Sequence, residues 1–338
     1  MATIKDVAER AGVSITTVSH VLNQTRFVSE ELRASVLAAM EELNYRPNVL
    51  ARSLRRGETK TLGLVVPDNS NPFFAEIARV VEDVGFARGY SVILCNSDGQ
   101  PKKEAAYIEV LIAKQVDGVI FIAAGSDPQH LEEFTLAGIP VVVADREIPQ
   151  DLADVVLVDN EQGGYDATRY LLDLGHRRIA CITGPSHLTP SADRVRGYRR
   201  ALAEAGIAGD EDLIVPGDFR SHGGEVAMGR LLGLQNPPSA VLACNDLMAI
   251  GAMRAIGAAG LRIPEDISLI GFDDIDIASA VSPALTTVAQ PIEALASEAA
   301  SCLLARVQTK GHSEPRKRIV LATRLVIRDS CARYRPRA

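Results

Sequence analysis

A chain of 338 residues is too long for one ordinary hydrophobic core, and 47% hydrophobic with 23% charged residues excludes a disordered or fibrous polypeptide. No apolar run reaches the roughly 20 residues that span a bilayer, and a formal net charge of −7 excludes a surface that binds polyanions everywhere. The five cysteines (Cys95, Cys181, Cys244, Cys302, Cys331) form no CxxC pair and have no histidine at zinc-ligand spacing, which reads as reduced cytosolic thiols with no metal or cofactor.

The charge is uneven. Residues 1–60 hold nine Lys/Arg and seven Asp/Glu, or +2, and residues 61–338 hold 27 and 36, or −9. A weakly basic head on an acidic body assigns contact with a polyanion to the head alone. The opening MATIKDVAERAG carries charges where a signal peptide needs an unbroken apolar region, so export is not expected.

Three helices are predicted before residue 46. Thr3 and Asp6 stand at capping-box spacing, with Ile4, Val7 and Ala8 on one face of the first helix. Gly12 permits a tight turn because it has no Cβ to clash at positive φ. Ser14 caps a second helix that buries Val18, Val21 and Leu22, and Ser29 caps a third with Leu32, Val36, Met40 and Leu43 at helical spacing. Helix, glycine turn and short helix spell a helix-turn-helix over residues 1–47.

If Val18, Val21 and Leu22 face inward, then Ile15, Thr16, Thr17, Ser19, His20 and Asn23 are outward or flanking. Their hydroxyls, amide and imidazole suit phosphates and base edges, and Ile15 suits a thymine methyl. The plain alternative is a solvated face of a small three-helix domain. Pro47 ends the third helix, and Asn48 caps a short helix running to Leu54, followed by Arg55, Arg56, Gly57 and Lys60. Residues 48–60 thus read as hinge helix and linker. A leucine among arginines is a poor core residue but a reasonable wedge for a minor-groove base step; otherwise Leu54 is a stray leucine in a basic linker.

From Thr61 apolar strands alternate with helices. Strands are predicted at 61–67, 91–96, 118–124, 140–145, 178–184, 239–245 and 267–273, and helices at Phe73–Arg88, Lys102–Lys114, Gly163–Leu174, Arg194–Ala205, Gly223–Leu232 and Leu247–Ala258. Nearly continuous Val, Ile and Leu between helices predict parallel sheets covered on both faces. The body divides into lobe 1, about 61–160 with 291–326, and lobe 2, about 161–290.

Ligands of such sheets bind beyond the carboxyl ends of the strands, in the cleft. The residues there are Asn71, Phe73, Phe74, Asp145, Arg146, Arg194, Phe219, Asn245, Asp273 and Gln290. Carboxylates, amides and arginines among aromatic rings suit a sugar: Asp and Asn bind hydroxyls, Arg donates as a fork and Phe covers a C–H face. Each has a duller reading. Phe73 and Phe74 close a lobe core, Asp145 and Asp273 bridge surface helices, and Asn245 is a helix N-cap.

TIKDVAERAGVS, TTVSHVLN and VSEELRASVLAAMEELNYRPNVLARSLR together resemble the headpiece and hinge helix of the LacI/GalR family of bacterial transcription repressors over nearly all of residues 2–56. The body is similar to the periplasmic sugar-binding-protein fold. Its motifs RGY, GDF, GFDDIDIAS and SPALTTVAQP are most similar to those of the ribose operon branch of that family. The resemblance implies an all-α headpiece and hinge joined to a two-lobed α/β core, in a cytoplasmic, nucleoid-associated homodimer with higher assembly left open.

It further implies that Ile15, Thr16 and His20 read bases, that Thr17, Ser19 and Asn23 fix the phosphate backbone, and that Leu54, next to Arg55, enters the centre of a palindromic operator. A sugar such as ribose would act as inducer; a purine-type member would instead use a corepressor. The chain departs from the family pattern at Arg146, where related repressors often have an aromatic residue, and this favours a sugar. An exported transport receptor and a sugar-active enzyme are the remaining alternatives. The sequence shows no GxSxG, GxxxxGK[ST], HExxH or strand-following GxGxxG, so no enzyme is expected.

Overall fold

The computed structural model describes residues 2–23, 26–46, 58–122, 129–148, 152–186, 188–309 and 315–335. The chain divides into two units, Met1–Thr59 and Lys60–Ala338. In the first, helices α1 (Ile4–Arg10), α2 (Ile15–Asn23) and α3 (Glu30–Glu42) enclose Val7, Ala8, Val18, Val21, Val36 and Ala39. Local chemistry sets the helix starts. Thr3 and Asp6 form a reciprocal capping box, and Ser14 Oγ accepts the Thr17 N–H at 3.0 Å. Gly12 takes φ +66° between α1 and α2. Leu22, Met40 and Leu43 pack half-buried against this core, whereas Leu32 is 42% exposed and corrects the expected inner face of α3. It lies in the helix's first turn, one turn before Val36, where α3 projects past so small a core.

In the second unit the elements are β1 (Thr61–Val66), α4 (Pro72–Ala87), β2 (Ser91–Asn96), α5 (Pro101–Ala113), β3 (Gly118–Phe121), α6 (Gln129–Leu136), β4 (Val141–Ala144) and β5 (Asp154–Val158). They continue with α7 (Asn160–Asp173), β6 (Ile179–Thr183), α8 (Thr189–Glu204), β7 (Ile214–Pro216), α9 (Ser221–Leu232), β8 (Ala240–Ala243), α10 (Asp246–Ala258) and β9 (Ser268–Asp273). The last are α11 (Ile277–Ala280), β10 (Thr286–Ala289), α12 (Ile292–Gln308), β11 (Arg318–Leu321) and β12 (Arg324–Val326). One sheet has the order β11-β5-β4-β3-β1-β2 and the other β12-β10-β9-β8-β6-β7. All pairings are parallel except β10 with β12. Among the described residues no helix is long and apolar enough to cross a membrane.

After β10 the chain returns to the first lobe. There α12 buries Leu295, Ala299 and Leu303 in the core, and Arg306 grips Asp154 of β5 through two hydrogen bonds of 2.7 and 2.8 Å, both side chains buried. The expected lobe boundary at 326 needs correction, because β12 belongs to the second sheet. Running parallel to β5, β11 ends on the side facing the other lobe. The chain then enters that lobe from its strands' carboxyl ends, which makes β12 antiparallel to β10.

Helix α8 begins at Thr189, earlier than expected, with Pro190 in its first turn, so Arg194 projects from within a helix. Its seat depends on a close crossing with α7. A Cβ on Gly164 would lie 2.3 Å from the Arg194 carbonyl oxygen, and one on Gly197 would lie 2.0 Å from that of Glu161. Neither contact can open without moving backbone. Gly197→Ala should therefore destabilise the protein by about 1–3 kcal/mol or more in urea unfolding. Gly229→Ala, at a helical glycine with no neighbour within 4 Å, should be neutral or stabilising by up to about 1 kcal/mol. Equal effects of the two would show that the crossing is not tight.

Candidate functional site

The carboxyl ends of the two sheets border a cavity of about 330 Å³, and all ten cleft residues chosen from the sequence line it. On the first lobe, Asn71 caps α4, its Oδ1 accepting the Phe73 N–H at 3.1 Å. Phe73 and Phe74 pack edge to face, 5.0 Å between centroids, and belong to the lobe core as well as to the cavity wall. Past β4, Asp145 takes φ +60° and pairs with the Arg146 guanidinium, which also donates to the Asp145 carbonyl at 2.9 Å.

On the second lobe, Arg194 is the hub. Its Nε donates to Asn160 Oδ1 at 2.8 Å, its Nη1 donates to the Cys244 carbonyl and stands 3.6 Å from Asp273 Oδ1, and its guanidinium lies 3.7 Å from the Phe272 ring centroid. Phe272, the neighbour of Asp273 at the end of β9, is fully buried beneath this arginine and does not line the cavity. Phe219, at φ +64°, lays its ring on Gly184, where a Cβ would come within 2.2 Å. Asn245 does cap a helix, accepting the Met248 N–H at 2.9 Å, and its Nδ2 donates to the Phe219 carbonyl at 2.9 Å. Its cap role and its place on the cavity wall coexist. Asp273, at φ +121°, accepts from Gln290 Nε2 at 2.7 Å.

Two acceptors in this cluster, Asp145 Oδ1 and Gln290 Oε1, are buried without a hydrogen-bond partner, an arrangement that favours a ligand bearing O–H or N–H donors. Asp246, beside Asn245, is wholly buried and accepts from Thr287 Oγ1 at 2.6 Å and from the Ile275 N–H at 3.0 Å, so it ties α10 to β10 and to the segment that follows β9. Sequence reasoning missed Asp68, Asp98, Asp218, Arg220, Leu188 and Pro190 in the lining. Asp68 and Asp98 follow β1 and β2, where the strand-end rule applied to every strand would have found them; Asp218 and Arg220 flank Phe219.

On the head, Ile15 and Thr16 are exposed, and Thr17, Ser19, His20 and Asn23 are half-buried along α2. Asn23 Nδ2 reaches back to the Ser19 carbonyl at 2.8 Å, and the hydroxyls of Ser14 and Thr17 meet at 2.9 Å. Leu54 and Arg55 lie outside the described residues.

Burial pushes the Asp273 carboxyl up to about 7 against the opposing pull of Arg194 and Gln290, with the Asp145 charge adding to the rise. Burial likewise raises Asp246, helped by the charge of Asp273. Between the ordinary value of 3.8 and about 7, the folded chain holds a proton on Asp273 that the unfolded chain releases, so this group's contribution to stability falls as pH rises through that window. Asp273→Asn should flatten the stability profile between about pH 4 and 7. An unaltered slope in urea midpoints would mean that Asp273 ionises normally.

Residues 3–48 match bacterial regulatory proteins of the lacI family, and residues 168–331 match a periplasmic binding protein-like domain. The chain is 44% identical over 335 residues to the HTH-type transcriptional repressor PurR of Proteus mirabilis, covering 98% of this chain and 97% of that one. It is 41% identical over 331 residues to the PurR of Photobacterium profundum, covering 98% of each. Among solved structures it is similar to the Lac repressor dimer bound to operator and the anti-inducer ONPF, with TM-score 0.87 and 29% identity over 98% of this chain and 99% of that one. It is also similar to a LacI family transcriptional regulator from Enterococcus faecium with bound ribose, with TM-score 0.75 and 34% identity over 81% of this chain and 100% of that one. The chain belongs to the LacI family and is a DNA-binding transcriptional repressor, not an enzyme.

Proposed function

We propose that this repressor binds a palindromic operator as a homodimer and that a purine base in the interlobe cavity acts as its corepressor. The observation that carries this reading is the 41–44% identity, over almost the whole chain, to repressors named PurR, which supports the purine-type alternative over the ribose inducer expected from the sequence. The cavity is compatible with it: Phe74 and Phe219 offer aromatic faces from both lobes, and Arg194, Asp273 and Gln290 offer polar edges. Ligand acts by binding one arrangement of the lobes more tightly than the other, and it shifts operator affinity only by that difference.

A ribose-like inducer is the second reading. It is favoured by the carboxylate-rich lining (Asp68, Asp98, Asp145, Asp218 and Asp273), by Arg146 next to Asp145, and by the ribose seen in the Enterococcus faecium regulator. The head reads DNA through Ile15, Thr16 and His20 at base edges and Thr17, Ser19 and Asn23 at phosphates, with Leu54 as the minor-groove wedge beside Arg55. Such a repressor works on the nucleoid in the bacterial cytoplasm.

Titrating operator binding with hypoxanthine, guanine and D-ribose separates the two readings by sign: a corepressor tightens binding and an inducer releases it. Arg194→Ala and Asp145→Ala should weaken the active ligand roughly 10- to 150-fold, the equivalent of about 1.5–3 kcal/mol for a charged hydrogen bond. Under the purine reading these variants lose operator binding; under the ribose reading they hold operator and are no longer released. No response to any of the three ligands would refute both. His20→Ala should relax discrimination at particular base pairs by about 1–3 kcal/mol each, whereas equal weakening on all sequences would make it a phosphate contact.

A further inference from the structure

Two loops from opposite lobes meet at the mouth of the cavity. Asp68, just after β1, has Oδ1 held by the Ser70 N–H at 3.0 Å and the Ser70 hydroxyl at 2.5 Å. Its other oxygen accepts from Arg220 Nη2 at 3.1 Å, across 152 positions of sequence. Arg220 is equally prepared. Its N–H donates to Asp218 Oδ1 at 2.8 Å, and the preceding Phe219 is pinned on Gly184 at φ +64°. Both side chains line the cavity, and the Arg220 charge also lowers Asp98, a second carboxylate of the first lobe, although Lys103 is that group's main partner.

We propose that Arg220 and Asp68 form an electrostatic latch that holds the lobes together across the cleft mouth and thereby sets how long an effector stays bound. The second half of this statement rests on reading the cleft as the effector site; the first does not. The latch joins the lobes across the cavity, where no covalent strand does. With Arg220 62% exposed and Asp68 21% exposed, the pair is wet enough to be screened by salt. Salt therefore weakens the attraction between Asp68 and Arg220. A second contact between the lobes is the Glu147 N–H to Thr189 Oγ1 at 3.3 Å, a hydrogen bond and not an ion pair.

Hydrogen exchange followed by mass spectrometry on the effector-free full chain tests the latch. Arg220→Ala should speed exchange of the 67–71 loop in the opposite lobe about two- to five-fold, the range expected for an exposed ion pair. Asp68→Asn should do the same to the 217–221 loop, and the double variant should add little to either single change. Raising NaCl to about 0.5 M should bring the wild type up to the variants and leave the variants unmoved. Changes confined to the mutated residue's own lobe, or an equal salt response in wild type and Arg220→Ala, would overturn the proposal. No ligand is present in this measurement, so its outcome is independent of whether the effector is a purine or a pentose.

Discussion

The direction of the strands governs this protein's second unit. In each lobe parallel pairing needs helical crossovers, and these cover both faces of the sheet and leave the strand ends as the place where polar side chains can gather. Both sheets point those ends at the same cleft. From that one constraint follow the location of the cavity, the residues that line it and the three crossings of the chain, after β5, after β10 and between β11 and β12. The antiparallel pairing of β12 obeys the same rule, since a chain leaving one lobe at its strand ends must enter the other against the strand direction.

The site built there strains its own fold. Asp145, Phe219 and Asp273 all take positive φ, which is costly for residues with a Cβ and is tolerated where surrounding contacts over-determine the backbone. Three carboxylates, Asp145, Asp246 and Asp273, are buried within this region, and burial raises two of them out of the ordinary range. Arg194 holds the cluster in place. It stacks on Phe272, stands close to Asp273 and bonds Asn160 where the chain crosses between lobes, and it can do so because Gly164 and Gly197 let α7 and α8 come within backbone contact. Two glycines thus set the position of one guanidinium, and that guanidinium orders the floor of the cavity.

The division of charge assigns the remaining work. The acidic body places carboxylates around the cleft, where they can accept hydrogen bonds from a neutral ligand, and leaves the weakly basic head to meet DNA. Arg220 uses the same acidity differently, spanning the cleft mouth from the second lobe to a carboxylate of the first.

Much of this was legible in the amino-acid order, because the signals are local. The Thr3/Asp6 capping box, Gly12 and the 3.6-residue spacing of Val18, Val21 and Leu22 specify a helix-turn-helix without reference to any distant residue. Unbroken apolar runs followed by polar residues mark strand ends, which is why cleft residues such as Asp145, Asn245 and Asp273, chosen from the sequence, lie on one cavity. What the sequence left undecided depends on which distant segments come together. Phe219 and Phe272 look alike as aromatic residues near strand ends, yet one covers Gly184 at the cavity wall and the other lies beneath Arg194. Asn245 and Asp246 are adjacent carriers of similar groups, but at the start of α10 the first lines the cavity and the second is buried against Thr287. The sheet that receives β12, the Asp68–Arg220 pair and the proton on Asp273 depend on tertiary distance and burial, quantities that a linear pattern does not contain.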